Sequence, residues 1–379
     1  MTAEQLSIRY RALTPLYTGD RNMKVDRLHE TGFHGSIRWW LEALIRGVGG
    51  LALDPVQQAG NFDIKKYKDD YGSLGPDAFR HTDRLRACGL DDASQVYGAT
   101  GWRRRFRLEL DHSRQFDRSN WDTISLPDRS YTATDRNGRS VTKTPTWWLK
   151  DKPFLDEFDL TLRSLDSGFP LGIVGGLLSF LEEWAGVGAK NQMGMGVIRR
   201  VEGDEPSRQT LYDWLSSLSS VTPAITTSQT RDMAKLPALD NMFLAHLHVT
   251  DDTKETTFRL KTDLRRKFTD DKVRHFVMGT IKDWGVADDG RLAAKVKISL
   301  PYKIGDDERY SMRIWGWLPH QNPAYTTTWT RDKVLQTIYG ELMAMDANLL
   351  WREMNSTRDQ SGTKQTDPLA FLKELLALS

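Results

Sequence analysis

A single cysteine, Cys88, stands among 379 residues. That excludes an internal disulfide and any zinc site built on several thiolates, and it fits a reducing compartment. Long apolar runs are missing as well. No stretch approaches the roughly 20 residues that span a bilayer, and Met1-Thr-Ala-Glu-Gln5 lacks the basic-then-apolar layout of a signal peptide. The expected setting is the cytoplasm, with no membrane partner. Nor is there an excess of charge of one sign: Lys+Arg number 53 against Asp+Glu 51, for a net charge of +2. Nucleic-acid binding therefore has to be argued from local clusters, because a neutral average can hide a basic groove.

Catalytic signatures are equally scarce. There is no Gly-x-Ser-x-Gly elbow and no His-Glu-x-x-His. Of eight histidines, only His246 and His248 lie close, sharing one strand face without a third ligand, so neither a metal nor a cofactor is expected. Asp20, in the loop after the first strand, reads as a turn residue.

What is present is a chain with 39% hydrophobic and 27% charged residues, enough for two domains with real cores. Thirteen tryptophans are many; such rings fill cores but also stack on bases. Leu6, Ile8, Tyr10 and Ala12 alternate with Ser7, Arg9 and Arg11, the pattern of a half-buried strand. Ile37, Trp40, Leu41, Leu44 and Val48 form a helical stripe over about 36–46, with Ser36 as the expected N-cap. Residues 54–86 read as a polar, irregular insertion with short helices and 111–146 as a long exposed loop. Strands are expected at 102–110, 158–162 and 197–201, with a helix over 170–184. A Ser/Thr-rich stretch, 216–230, looks like a linker. Beyond it come strands at 243–249 and 294–300, with Lys295 and Lys297 off the apolar face. Helices are expected near 262–278, 332–350 and from Asp367-Pro368 on. The expected division is 1–205, a linker region over 206–235, and 236–379. Both halves open strand, helix, strand, which suggests an α+β protein of two tandem ferredoxin-like domains.

Three clusters could carry function. In Gly186-Val-Gly-Ala-Lys-Asn-Gln-Met-Gly-Met-Gly196, the glycines Gly186, Gly188, Gly194 and Gly196 let backbone approach a partner closely. Lys190, Asn191 and Gln192 between them supply donors for phosphate. The turn follows a helix and precedes a strand, so it is neither a P-loop nor a dinucleotide motif; a plain helix-to-strand loop is the bland alternative. On a strand, Arg103, Arg105 and Arg107 would share a face as a basic stripe, unless carboxylates pair them off. Arg104 would then point to the apolar side and need a partner. His34, Arg38 and Trp39 on the first helix form the third cluster, Arg38 with a fork suited to phosphate. Arg265, Arg266 and Lys267 look more like a solvated helix face.

These motifs resemble the RAMP superfamily of type III CRISPR effector complexes, most of all the double-domain subunit at the head end of the type III-B (Cmr-type) complex. Leu13-Thr-Pro-Leu-Tyr-Thr-Gly19 is similar to the family's end of the first strand, and Gly35-Ser-Ile-Arg-Trp-Trp-Leu-Glu-Ala-Leu44 to its Arg-Gly-x-Leu-Arg-Trp-Trp helix. Val96-Tyr-Gly-Ala-Thr100 resembles its Leu-Phe-Gly-Ser segment, and the turn its glycine-rich loop. Arg274-His-Phe-Val-Met-Gly279 and Arg291-Leu-Ala-Ala-Lys-Val-Lys-Ile298 look like weaker echoes. His34, Lys190, Gln192 and Met193 stand where the family often has arginine. The resemblance implies tandem RRM-like RAMP domains and a subunit that helps hold the crRNA 3′ region and captures target RNA among related RAMP subunits, without cutting. The enzymatic alternative is a RAMP endoribonuclease that matures pre-crRNA. Those enzymes carry the glycine-rich loop near the C-terminus, whereas here it lies mid-chain.

Overall fold

The computed structural model describes all residues except 1–3, 20–21, 23–24, 55–61, 73–80, 113–123, 126–129, 145, 148–152, 222–232, 251–252, 281–291, 306–307, 362–363 and 379. Asp20 and Arg291 lie outside the described residues.

The first half begins with β1 (Gln5–Ala12) and α1 (Glu30–Gly47). Helices α2 (Ile64–Tyr71), α3 (Thr82–Ala87) and α4 (Asp92–Tyr97) lead to β2 (Phe106–Asp111). Residues expected as one exposed loop contain β3 (Ile124–Ser125), β4 (Tyr131–Thr134), β5 (Ser140–Lys143) and β6 (Thr146–Trp147), with β4 and β5 closing a hairpin. Asp135 drives that turn by accepting from the amides of Asn137 and Arg139, a local side-chain bond typical of aspartate. Then follow β7 (Glu157–Ser164), α5 (Gly172–Trp184) and β8 (Ile198–Gly203).

The sheet order is β2-β7-β1-β8, antiparallel throughout. With α1 after β1 and α5 after β7, this is the βαββαβ ferredoxin-like arrangement. Register follows the apolar alternation: Ile8 faces Leu160 and Tyr10 faces Phe158, so one face of every strand is buried beneath α1 and α5. The opposite face carries paired charges. Arg9 meets Asp159 at 2.8 Å and Glu202 at 2.6 Å, and Arg163 meets Glu109 at 3.1 Å.

Helix α1 starts a turn and a half earlier than the sequence suggests. Ser36 is not its N-cap; its hydroxyl donates back to the helix, near the carbonyls of Gly32 and Phe33, as a serine inside a helix does. Residues 208–219, expected within a linker, form α6 (Arg208–Ser219), because Leu211, Trp214, Leu215 and Leu218 recur at helical spacing and are buried. Ser207 caps it, accepting from the Thr210 amide at 3.2 Å.

The second half repeats the topology: β9 (Met242–Val249), α7 (Lys254–Lys267), α8 (Asp271–Met278), β10 (Val296–Ile298), β11 (Tyr310–Trp317), α9 (Arg331–Met345) and β12 (Leu350–Arg352), in the order β10-β11-β9-β12. The basic segment expected as one helix is two, broken where Asp270 caps α8. One sheet face packs Phe243, Ala245, Ile298, Ile314 and Trp351 against its own helices. The other turns Met242, Leu244 and Trp315 into the core of the first half. The last helix, α10 (Pro368–Leu375), crosses back to that same core with Phe371, Leu372 and Leu375; the Trp184 indole donates to the Leu375 carbonyl at 2.9 Å. Among the described residues no helix is long and apolar enough to cross a membrane.

Candidate nucleic-acid interface

The glycine-rich turn leaves α5, whose apolar register ends at Trp184, and closes on itself as a small lobe. Val187 donates to the Gly196 carbonyl at 2.8 Å, and the Asn191 amide side chain donates to the carbonyls of Val187 (3.3 Å) and Met195 (3.0 Å). Three other parts of the chain hold the lobe. Ala189 donates to Tyr17 at 2.8 Å and Gly196 to Pro15 at 3.0 Å. Gly188 donates to the Ser36 hydroxyl at 3.0 Å, and Leu300 of the second half donates to Gly194 at 2.9 Å.

Close approach is real, but the partner is this chain. Gly194 has φ 87°, and a Cβ there would lie 2.7 Å from the Leu300 nitrogen. Gly196 has φ 101°, and its Cβ would lie 2.3 Å from the Val187 oxygen. Met193 and Met195 pack with Tyr17, Val25, Phe258 and Leu300 in a small apolar cluster joining the halves. Gly186 is buried beside Trp315. Asn191, expected as a donor to phosphate, spends its amide inside the lobe. Lys190 remains at the apex: it is left-handed at φ 63°, rare for a side chain with a Cβ, and its ammonium stands 5.7 Å from the Tyr17 ring centre. Gln192 is exposed, and its carbonyl accepts from Lys261 of α7.

The arginine stripe does not form. Strand β2 begins at Phe106, so Arg103 and Arg105 precede it. Arg105 is 8% exposed, ion-paired with Asp166 and stacked 4.0 Å from the Trp102 ring centre. A buried guanidinium needs such a carboxylate. Arg103 is exposed and donates to the Leu165 carbonyl at 3.2 Å; Arg107 is exposed and pairs with Glu109 at 2.9 Å. Arg104, half-buried, donates to His34 Nε2 at 2.8 Å and to the Phe106 carbonyl at 2.9 Å.

The α1 cluster also faces inward. Burial, helped by the Arg104 charge, pushes the His34 imidazole down to about 4. Arg38 donates to Glu42 at 2.8 Å and reaches the Ser94 hydroxyl and the Gly98 carbonyl. Trp39 is half-buried, edge-on to Trp40 at 5.0 Å. In the second half, Arg266 pairs with Asp263 at 3.5 Å and Lys267 with Glu341 at 2.6 Å, the solvated face expected for that run. Among the described residues no group of three or more His, Cys, Asp or Glu side chains is placed to hold a metal.

Sequence reasoning passed over Lys261 and Tyr17, which flank the turn. The available signals were weak: a lysine three residues after the buried Phe258, and a tyrosine inside the Leu13–Gly19 segment.

Comparison with curated protein sequences gives no match. Among solved structures, two cryo-EM chains from the type III-B Cmr-beta bound to cognate target RNA are similar to this chain. One, with AMPPnP and in the presence of ssDNA, is 11% identical, with a TM-score of 0.44 over 90% of this chain and 99% of its own. The other is 11% identical, with a TM-score of 0.43 over 90% and 100%. Apo Cmr1 from Pyrococcus furiosus is 13% identical, with a TM-score of 0.39 over 92% and 98%. The fold rests on the strand orders above rather than on these likenesses. The profile of the RAMP superfamily matches residues 9–199, from within β1 through the glycine-rich turn and into β8, more than half of the sequence, and the chain belongs to that superfamily.

Proposed function

We propose that this chain is an RNA-binding, non-catalytic subunit of a type III-B CRISPR ribonucleoprotein. In this reading it sits among other RAMP subunits, helps hold the crRNA 3′ region and captures target RNA. Family membership supports the ribonucleoprotein setting. The observation that carries the RNA reading is Lys190, a cation held at the apex of the hydrogen-bonded glycine lobe in a left-handed backbone beside Tyr17. A strained residue that the surrounding structure holds in place is a mark of a functional position. Gln192, Arg103 and Arg107 would add exposed donors. His34, Arg38, Trp39 and Arg105 would shape the surface from within, and Gly186, Gly188, Asn191, Gly194 and Gly196 would fix the lobe.

The test is anisotropy of a labelled single-stranded RNA over 50–200 mM salt. The expected result is a linear fall of log affinity with log salt, by about 0.7 per phosphate neutralised. Absent or salt-independent binding overturns the reading. Incubation with CRISPR repeat RNA in chelator tests the other half: specific cleavage would make the chain a processing endoribonuclease.

A further inference from the structure

Beyond the turn, a row of cations runs onto the second half. Lys261 of α7 donates to the Gln192 carbonyl of the glycine lobe. The charge of Lys297 on β10 acts on Lys261, and that of Lys295, two residues before it on the same strand edge, acts on Lys297. All three are half-buried. Each also lies near an aromatic ring or an indole-bearing strand. The Lys261 ammonium is 5.1 Å from the Phe258 ring centre, and Lys295 is 4.0 Å from Trp317 and 5.6 Å from Phe276. Lys297 is opposite Trp315 in the β10–β11 register. Strand β10 abuts the lobe, where Leu300 bonds Gly194.

What needs explaining is the company these lysines keep. Crowding by protein lowers Lys261 to about 7, with Lys297 adding to it, and lowers Lys295 and Lys297 to about 8. Among the described residues, Lys295 and Lys297 have no carboxylate within ion-pair distance, whereas Arg266 and Lys267 on α7 do. Because β10 is the sheet's edge, a lysine there could serve only to deter pairing with another strand. Such a lysine points into water. Lys295 is held against the rings of Trp317 and Phe276, and Lys297, two residues on and under its charge, has only the Ala294 carbonyl as acceptor among the described residues, an arrangement that an added anion would relieve.

Resting on the RNA reading above, we propose that Lys261, Lys295 and Lys297 continue from Lys190 as a phosphate-binding row for single-stranded RNA, so that both halves grip one strand. Interleaved cations and rings suit single strands, whose backbone follows the charge while bases find aromatic faces. Alternate residues on a strand, as at 295 and 297, are spaced about 6.6 Å apart.

The experiment compares wild type with Lys261→Gln/Lys295→Gln/Lys297→Gln, using a labelled oligouridylate over 50–200 mM salt, with thermal melting as the fold control. The variant should melt no lower than wild type, bind at least tenfold more weakly at 50 mM, and lose about 2 from its log–log salt slope. Wild-type binding with an unchanged slope in the folded variant overturns the row and leaves the RNA reading standing. No wild-type binding overturns both. Equal or tighter binding of an RNA duplex of the same length overturns the single-strand assignment. Should the variant unfold, amine acetylation of wild type decides: oligouridylate must protect these three lysines and leave Lys267 reactive, and unprotected lysines end the proposal.

Discussion

The Arg313 guanidinium of β11 donates to the Ala185 carbonyl at 3.0 Å and reaches the Leu181 carbonyl at 3.3 Å. Beside it, His246 Nε2 donates to the Glu183 carbonyl at 2.7 Å. The last carbonyls of a helix have no partner within it; here the second half supplies the C-terminal cap of α5, and a cation at that end also suits the helix dipole. Arg313→Met should therefore cost about 2–3 kcal/mol, the loss of a charged hydrogen bond with the buried Ala185 carbonyl left behind, the Leu181 carbonyl keeping the Ala185 amide. Urea titration by tryptophan fluorescence measures it, and wild type should unfold in one transition because the halves share this cap.

Two glycines should respond oppositely to a methyl group. Gly196→Ala places Cβ against the Val187 oxygen at φ 101° and should destabilise the chain by more than about 2 kcal/mol. Gly35→Ala meets nothing within 4 Å on α1 and should stabilise it by about 0.5–1 kcal/mol. Denaturation midpoints of the two variants check both signs.

The arginines around β2 should divide by role. Arg105→Ala removes the partner of Asp166 from an almost buried site and should lower the melting temperature by several degrees. Arg103→Ala and Arg107→Ala, both exposed, should leave stability within about 0.5 kcal/mol. RNA binding is therefore best probed with Lys190, Arg103 and Arg107 changed together. A triple variant including Arg105 would confuse binding with folding.

Acid should loosen the fold through histidine. Burial and Arg104 lower His34 to about 4, against a small opposing pull from Glu30, and burial and Arg313 lower His246 to about 4. An unfolded imidazole titrates near 6.5. Below about pH 6.5 the unfolded chain binds protons that the folded one refuses, so stability present above that pH is lost as pH falls toward 4. His34→Gln, whose amide can accept from Arg104 without titrating, should show a shallower loss of melting temperature between pH 7 and 4.5.

Affinity for RNA should fall as pH rises from 7 to 9, because Lys261, Lys295 and Lys297 lose their protons there while phosphodiesters stay charged. The Lys261→Gln/Lys295→Gln/Lys297→Gln variant should be nearly flat over the same range. Equal pH dependence in both proteins would sink the prediction.

Period-two and helical patterning made both ferredoxin-like units legible. Those signals are local, and so is the Asp367 cap of α10, which accepts from Leu369 at 3.0 Å. What failed depended on long-range contacts. Arg105 alternates correctly with Arg103 and Arg107, yet the strand starts one residue later and Asp166, far along the chain, claims it. Ser36 looked like a cap because the helix before it, Glu30–Gly35, is weakly apolar; Phe33 against Phe158 holds that turn in place. The glycines of the lobe announced a close approach without naming the neighbour, which is Leu300 and the lobe itself.

The return of α10 to the first core bears on how the protein is made. Phe371, Leu372 and Leu375 complete an apolar face that α5 and α6 expose from the first half onward, so a nascent chain lacking them carries an open greasy surface while the second half is still being synthesised. The first unit's core is therefore closed only once the last helix has been made, unlike tandem units that complete their cores one at a time. Until the last helix is made, that face of the first unit stays uncovered.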